Sequence, residues 1–352
     1  MRYFSSFTGA GGFDLAVSND WECVGFSEID KYANMVLKYR FPNVKNYGDV
    51  NAIKWEEIPD FDILFGGTPC QDLSLAGKRK GLAGERSGLF FKFVEALKAK
   101  KPKYFVWENV KGALSSNQGW DFAEVLNQFS EAGYNLWWQV LNAKYFSVPQ
   151  NRERIFIIGF RDRSPPEVFF EPEVSTEDNE ANPIELTNNK SISGRVYAPS
   201  GIAISLKANG GGLGVKTGLY AVQAVLTPSR EKKRQNGRRF KNPEEPMFTL
   251  TGQDDGVAIR DLTTSETFGT LRSGGSGGVP SQRFVDADMK IRRLTPRECE
   301  RLMSWPDDWT QWGMDEKGSR TEISDTQRYR MTGNGVVSNV VKWLIENVIL
   351  RD

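Results

Sequence analysis

The sequence predicts an α/β protein built on a mostly parallel, doubly wound sheet, and three observations carry the prediction. Short apolar runs rich in aromatic and β-branched residues alternate with helical periodicity through the first ~160 residues. A Gly-rich turn separates the first such run from what reads as a helix. From Arg163 to about Lys290 the pattern gives way to Gly, Pro, Ser and Thr with short strand-like pieces, and helix returns afterwards. Strands alternating with helices favour a parallel sheet covered on both faces.

Taken in order, strands are expected at 3–7, 23–27, 61–65, 104–107, 136–141 and 155–160. Helices are expected at 31–39, 89–100 and 120–132, the last stopped by Gly133. Arg163-Ser164-Pro165-Pro166 marks a boundary. Thr295-Pro296-Arg297-Glu298 reads as a capping box with Pro at the first helical position, and an amphipathic helix closes the chain over 336–350. The expected organisation is a catalytic domain formed by 1–163 and 290–352, with a β-rich domain, 164–289, inserted into it. Within the insert, Ser205-Leu206, Thr249-Leu250 and Thr270-Leu271 each lead into a Gly-rich turn, an echo that chance similarity of hairpins explains equally well.

Composition removes whole classes of chemistry. The 352 residues include no histidine, which excludes Ser-His-Asp and Cys-His catalysis. The three cysteines, Cys23, Cys70 and Cys299, show no metal-ligand spacing, so no metal is expected. Cysteines this few and odd in number suit a reducing compartment. No apolar run approaches the roughly 20 residues that span a bilayer, and Met1-Arg2-Tyr3-Phe4 passes directly into a strand with no signal peptide. A cytoplasmic protein with no membrane partner is the expectation. Net charge is +1, but its distribution is uneven: 230–241 carries seven basic side chains and one acid, and 165–185 carries seven acids and no base. A basic run is commonly a solvated loop; a phosphate-contacting face is the sharper reading.

Chemistry concentrates at the ends of the expected strands, where open α/β sheets hold their ligands. Phe7-Thr8-Gly9-Ala10-Gly11-Gly12-Phe13-Asp14 is neither a dinucleotide fingerprint nor a P-loop. Glu28, after the second strand, is placed to accept from ribose hydroxyls, and Asp49 to meet an adenine amino group, although each acid alone is more often a cap. Gly66-Gly67-Thr68-Pro69-Cys70 brings a thiol to the third strand end, and Glu108-Asn109-Val110 brings a carboxylate to the fourth. Together they suggest covalent catalysis with an acid partner, while a Pro-Cys alone is usually structural. Arg152 and Arg154 alternate ahead of the sixth strand; contact with an anion or base carbonyl and an ion pair with Glu153 or Glu108 stand at comparable odds.

The ordered set Phe-Thr-Gly-Ala-Gly-Gly, Pro-Cys-Gln, Glu-Asn-Val, Gln-Asn-Arg-Glu-Arg and Thr332-Gly333-Asn334-Gly335-Val336 resembles the DNA cytosine-5 methyltransferase family of bacteria and phages. The resemblance covers 1–160 and about 290–352. It implies a Rossmann-like S-adenosylmethionine-dependent methyltransferase sheet with an inserted, mostly β and loop, target recognition domain. It makes Cys70 the nucleophile at carbon 6 of cytosine, Glu108 the group at ring nitrogen 3, and Arg154, with Arg152 nearby, the ligand of the base carbonyl. Phe7, Gly9, Gly11, Gly12, Phe13, Glu28, Ile29, Asp49, Val50, Gly67, Pro69, Leu89, Asn334 and Val336 would line the S-adenosylmethionine site. Double-stranded DNA would be met by Ser74, Lys78, Arg79 and Lys80 in the loop after the nucleophile, and in the insert by Lys232, Lys233 and Arg234 at phosphates. Arg238, Arg239, Gln253 and Arg272 suit base edges. Because a stacked base cannot be attacked at carbon 6, the resemblance implies base flipping.

A monomer completes the expectation, and the sequence leaves two readings open, a functional partner of a cognate restriction endonuclease and a solitary or phage-borne enzyme. Thr68 stands where the family usually has Phe, which bears on cofactor packing. The alternatives are a tRNA-methylating branch of the same family, a catalytically inactive DNA-binding homologue, and a thiol hydrolase, which the missing histidine disfavours.

Overall fold

The computed structural model describes residues 1–69, 88–167, 170, 183, 185, 196–197, 203–206, 219–223, 258–259, 289–292 and 294–351. The chain divides into two compact units, one formed by Met1–Val148, Arg152–Glu173 and Pro296–Asp352, the other by Pro149–Asn151 and Val174–Thr295. Among the described residues, no helix is long and apolar enough to cross a membrane.

In the first unit, β1 (Arg2–Ser6), β2 (Glu22–Ser27), α1 (Lys31–Arg40), β3 (Ile63–Gly66), α2 (Gly88–Lys100), β4 (Tyr104–Val110), α3 (Trp120–Glu131) and β5 (Asn135–Asn142) follow in order. After β6 (Gln150–Asn151), which belongs to the second unit, comes β7 (Glu153–Phe160). The six-stranded sheet runs β2-β1-β3-β4-β7-β5. The strands β2, β1, β3 and β4 are mutually parallel, so their carboxyl ends share one edge. β3 is buried at all four residues, as expected of a strand covered on both faces.

Helices α2 and α3 bury Phe90, Phe93, Val94 and Leu97, and Phe122, Val125 and Phe129, spacings that put one apolar stripe on the sheet. The rings interlock edge to face: Phe105 lies 5.9 Å from Phe93 and 5.1 Å from Tyr134, and 4.5 Å from Phe129 in a tilted pair. Gly159 makes this possible, because a Cβ there would run into the Phe105 ring. Truncating a ring this deeply buried costs about 3–5 kcal/mol.

The sheet is mostly parallel, as expected, with β7 antiparallel to both β4 and β5, and the structure corrects the bounds of two helices. The short connection from β5 to β7, with a single 3₁₀ turn at Ala143–Tyr145, is too brief for the crossover that a parallel strand needs. The helix expected after the Gly-rich turn is one 3₁₀ turn, Asp14–Ala16, ended by the turn-forming Ser18-Asn19-Asp20. The closing helix is α6 (Ser338–Leu344), followed by a wider π turn at Ile345–Ile349.

Between them, α4 (Pro296–Leu302), the hairpin β13 (Trp312–Met314) and β14 (Arg320–Glu322), and α5 (Asp325–Asn334) complete the first unit. In the second unit, β6 pairs with β9 (Ala203–Ile204), and the buried Gln150 accepts from the Leu206 amide at 3.2 Å. β10 (Leu219–Gln223) pairs with β8 (Val196–Tyr197), β11 (Ala258–Ile259) and β12 (Met289–Arg292).

Candidate active site

The carboxyl edge of the parallel strands gathers most of the described candidates. At the end of β1, Phe7 takes a left-handed φ of 52°, and the turn after it needs glycine at Gly9 (φ 59°) and Gly11 (φ 90°). Gly12 touches Val336: a Cβ would lie 2.9 Å from Val336 Cγ1 and 3.0 Å from its carbonyl oxygen. Phe13 is buried and stacks on Phe65 with ring centres 5.5 Å apart.

At the end of β2, the Glu28 carboxylate accepts from three backbone amides, those of Gly9 at 2.7 Å, Ile29 at 2.8 Å and Asp30 at 2.7 Å. Burial pushes its pKa up against these hydrogen bonds, which favour the ionised form. Beside it Ile29 is 72% exposed, an apolar side chain left open next to a fixed acceptor. Asp49 caps the next turn through the Asn51 amide at 2.9 Å. Val50 lies in the core, Leu89 packs half-buried against it, Pro69 is exposed, and Asn334 is exposed at the end of α5.

At the ends of β3 and β4, Gly66 pairs in register with Trp107, which sets the next residues beside Glu108. A Cβ on Gly67 would lie 3.0 Å from Glu108 Oε2. The buried Thr68 accepts a hydrogen bond from the Trp107 indole at 3.1 Å. Thus the chain leading to Cys70 leaves the sheet against the Glu108 carboxylate. Cys70 itself, with Ser74, Lys78, Arg79 and Lys80, lies outside the described residues, as do Lys232, Lys233, Arg234, Arg238, Arg239, Gln253 and Arg272.

Glu108 is on β4 itself, which continues to Val110, and pairs with Arg154 from β7 at 3.0 Å. Burial raises its pKa; Arg154, then Arg152, oppose the rise. A carboxyl so placed takes up a proton more readily than one in water while staying next to a cation. Arg154 also donates to the Glu153 carbonyl at 2.8 Å, and Glu153 is held by Lys111 at 2.9 and 3.0 Å. Arg152 is placed differently: it is 3% exposed, and its guanidinium donates to the carbonyls of Gly333 at 3.2 Å and Gly335 at 2.6 Å.

Several side chains that hold this edge escaped the sequence reading. Trp309 donates to the Ala10 carbonyl at 2.7 Å, Ser338 to that of Gly12 at 2.7 Å, and Trp305 to that of Val336 at 3.2 Å. Asp30, while capping α1, also pairs with Arg330 of α5 at 3.0 Å. The buried Glu300 takes Arg328 at 3.1 Å and the Thr310 amide at 2.9 Å. No local pattern announces these, except that Glu300 follows the helix start already marked by Thr295-Pro296.

A mixed sheet with a glycine turn after its first strand and an acid after its second is an α/β fold whose carboxyl edge suits a nucleotide-like ligand. Solved structures share the fold. An Entamoeba histolytica methyltransferase, EhMeth, superposes with a TM-score of 0.61 at 16% identity over 98% of this chain and 97% of that one. The S. pombe Dnmt2 methyltransferase gives 0.61 at 17% over 98% and 97%.

The model for C-5 cytosine-specific DNA methylases matches residues 1–350. The chain is 31% identical to the orphan methyltransferase M.SPRI of Bacillus phage SPR, over 99% of this chain and 97% of that protein. It is 30% identical to the type II methyltransferase M.HhaI of Haemophilus parahaemolyticus, over 99% and 94%. The chain therefore belongs to the C-5 cytosine-specific DNA methylase family. It is a DNA cytosine-5 methyltransferase whose methyl donor is S-adenosylmethionine.

Proposed function

We propose that Cys70, Glu108 and Arg154 carry the reaction, and that the observation supporting this best is the Glu108–Arg154 pair standing where the Gly67–Cys70 segment leaves the sheet. The Cys70 thiolate adds to carbon 6 of a cytosine turned out of the duplex, forming a carbon–sulfur bond as the ring's 5,6 double bond opens. Glu108 holds a proton at ring nitrogen 3, which its burial-raised pKa favours. Arg154 holds the carboxylate and meets the base carbonyl. The addition makes carbon 5 nucleophilic, and once carbon 5 carries the methyl, loss of its proton to water re-forms the double bond and expels the Cys70 thiolate. Arg154 is also the cation that favours thiolate over thiol at Cys70.

The donor set at the β1–β2 edge fits S-adenosylmethionine. Glu28 presents a fixed carboxylate to ribose hydroxyls, the open Ile29 side chain presents an apolar face to a planar base, and the Gly9–Gly12 turn leaves room for close backbone approach. When bound, the group supplies an electrophilic methyl. Asp49 and Asn334 complete the set from opposite ends of the chain.

The remaining assignments belong to the same proposal. Residues 164–289 form the target recognition domain, with Lys232, Lys233 and Arg234 on phosphates and Arg238, Arg239, Gln253 and Arg272 on base edges. The protein acts as a cytoplasmic monomer. Relatives named orphan support a solitary enzyme, and those named type II support one paired with an endonuclease.

The test is trapping on duplex DNA carrying 5-fluorocytosine, in which fluorine replaces the proton that must leave. Wild type should form a cofactor-dependent covalent adduct, and Cys70→Ala should bind DNA without forming it or methylating. Methylation by Cys70→Ala would remove the mechanism.

A further inference from the structure

The Gln150–Arg154 run contains two arginines whose tasks the structure separates. Arg154 pairs with the Glu108 carboxylate. Arg152 spends one terminal nitrogen on two backbone carbonyls, those of Gly333 and Gly335, across 181 and 183 residues of sequence. These carbonyls flank Asn334 at the carboxyl end of α5. The last carbonyls of a helix have no partner within it, and a cation there also meets the negative end of the helix dipole. Both bonds leave the outermost nitrogen of the side chain, which the shorter lysine does not reach, and a guanidinium keeps its charge when buried.

The turn so held is packed against the cofactor side. Val336 fills the space above Gly12, Ser338 holds the Gly12 carbonyl, and Trp305 holds that of Val336. Arg152 also leads directly into β7, which pairs with β4 at Val110↔Arg154 and Glu108↔Phe156, and its charge favours the ionised form of Glu108. One buried side chain therefore touches the Asn334 turn and acts on the acid that faces the base.

We propose that Arg152 is a positioning residue that fixes the Asn334 turn to the Glu108 strand pair, and that it links cofactor binding to the base-binding side. The proposal rests on the roles given above to Asn334 and Glu108, and it removes Arg152 from the ligands of the flipped base.

Arg152→Lys keeps the charge and loses the paired contact. Calorimetry with S-adenosylhomocysteine, the reaction product, should show affinity reduced about tenfold or more, the size expected for charge-assisted hydrogen bonds. The dissociation constant for duplex DNA should stay within twofold, with KM for cofactor raised far more than kcat is lowered. The wild type gives an independent reading that survives a variant too unstable to purify. S-adenosylhomocysteine should slow amide exchange in 333–336 and, through Arg152, in 150–154 as well.

Protection confined to 333–336 would overturn the proposal. So would an Arg152→Lys enzyme with unchanged S-adenosylhomocysteine affinity and slowed adduct formation on 5-fluorocytosine DNA, the behaviour of a base ligand. Failure of wild type to bind S-adenosylhomocysteine at all would instead remove the assignment of the cofactor site, and this inference with it.

Discussion

Glu28 and Glu108 stand at the same edge of one sheet, after β2 and near the end of β4, and they differ in what neutralises them. Glu28 is gripped by the amides of Gly9, Ile29 and Asp30, whereas Glu108 is gripped by the Arg154 side chain with Arg152 behind it. Burial raises the pKa of both. Amides are fixed dipoles that cannot leave or titrate, so Glu28 is suited to be a permanent acceptor. An arginine on the end of a strand can shift its hydrogen bonds when a ligand arrives, so Glu108 is suited to exchange a proton and a partner. One carboxylate is built to hold and the other to react.

The sharpest way to break this contrast is Glu108→Gln. The amide keeps shape and one donor but cannot cycle a proton. Single-turnover methylation should fall by ~10²–10⁴-fold, the usual contribution of a general acid, with cofactor affinity unchanged. A fall of less than threefold would make Glu108 a structural partner of Arg154 and erase the distinction from Glu28.

Asp14 provides a third case, a carboxylate held by neither amides of another strand nor an arginine. It is buried, and among the described residues its oxygens make no well-aligned hydrogen bond, although the Tyr3 and Ser5 hydroxyls face it. Burial is the main cause that pushes its pKa from 3.8 up to about 7. Below 3.8 both folded and unfolded chains carry the proton and no difference arises. As pH rises from there to about 7, the unfolded chain ionises first and stability falls; above about 7 the full penalty, about 4 kcal/mol, is present. Asp14→Asn should therefore be more stable than wild type at pH 8, with the gap closing towards pH 4. Equilibrium denaturation across that range checks it, and a gap independent of pH would show that burial does not govern Asp14.

What the sequence disclosed follows the same division between local and distant contacts. Gly9 and Gly11 were legible because left-handed backbone calls for glycine, and Glu28 because it closes a strand two residues before a helix cap. The pairing of Glu108 with Arg154 was one of two even readings, since an alternating Arg-Glu-Arg run does not say which strand lies opposite. The contacts of Arg152 with Gly333 and Gly335, of Trp309 with Ala10 and of Ser338 with Gly12 were illegible. Each is a side chain meeting a backbone carbonyl far away in sequence, and a carbonyl carries no residue-specific signal. The antiparallel direction of β7 was not legible, because strand composition is blind to direction.

On the amide-held side, Glu28→Ala should weaken S-adenosylhomocysteine binding about 10- to 100-fold, the range for hydrogen bonds to a charged acceptor. Duplex DNA affinity measured without cofactor should stay constant. Glu28→Gln should recover little, because an amide nitrogen turned towards the Gly9, Ile29 or Asp30 N–H groups presents donor to donor. Full recovery by Gln would mean that the charge of Glu28 contributes nothing and that its fixed geometry alone matters.

The smallest effect tests whether the distinction between holding and reading extends to the insert. Lys232, Lys233 and Arg234 are proposed to touch phosphates, which position the protein but carry no sequence information. Replacing one by Ala should lower the dependence of log affinity on log salt by about one unit, equally on every DNA sequence. Arg238→Ala, Arg239→Ala, Gln253→Ala or Arg272→Ala should instead relax preference at one position of the target, at ~1–3 kcal/mol there. Methylation of a library of randomised sites separates the two outcomes. The phosphate assignment falls if Lys232→Ala changes which sites are methylated, because a uniform loss of affinity lowers every site in proportion and leaves their order intact.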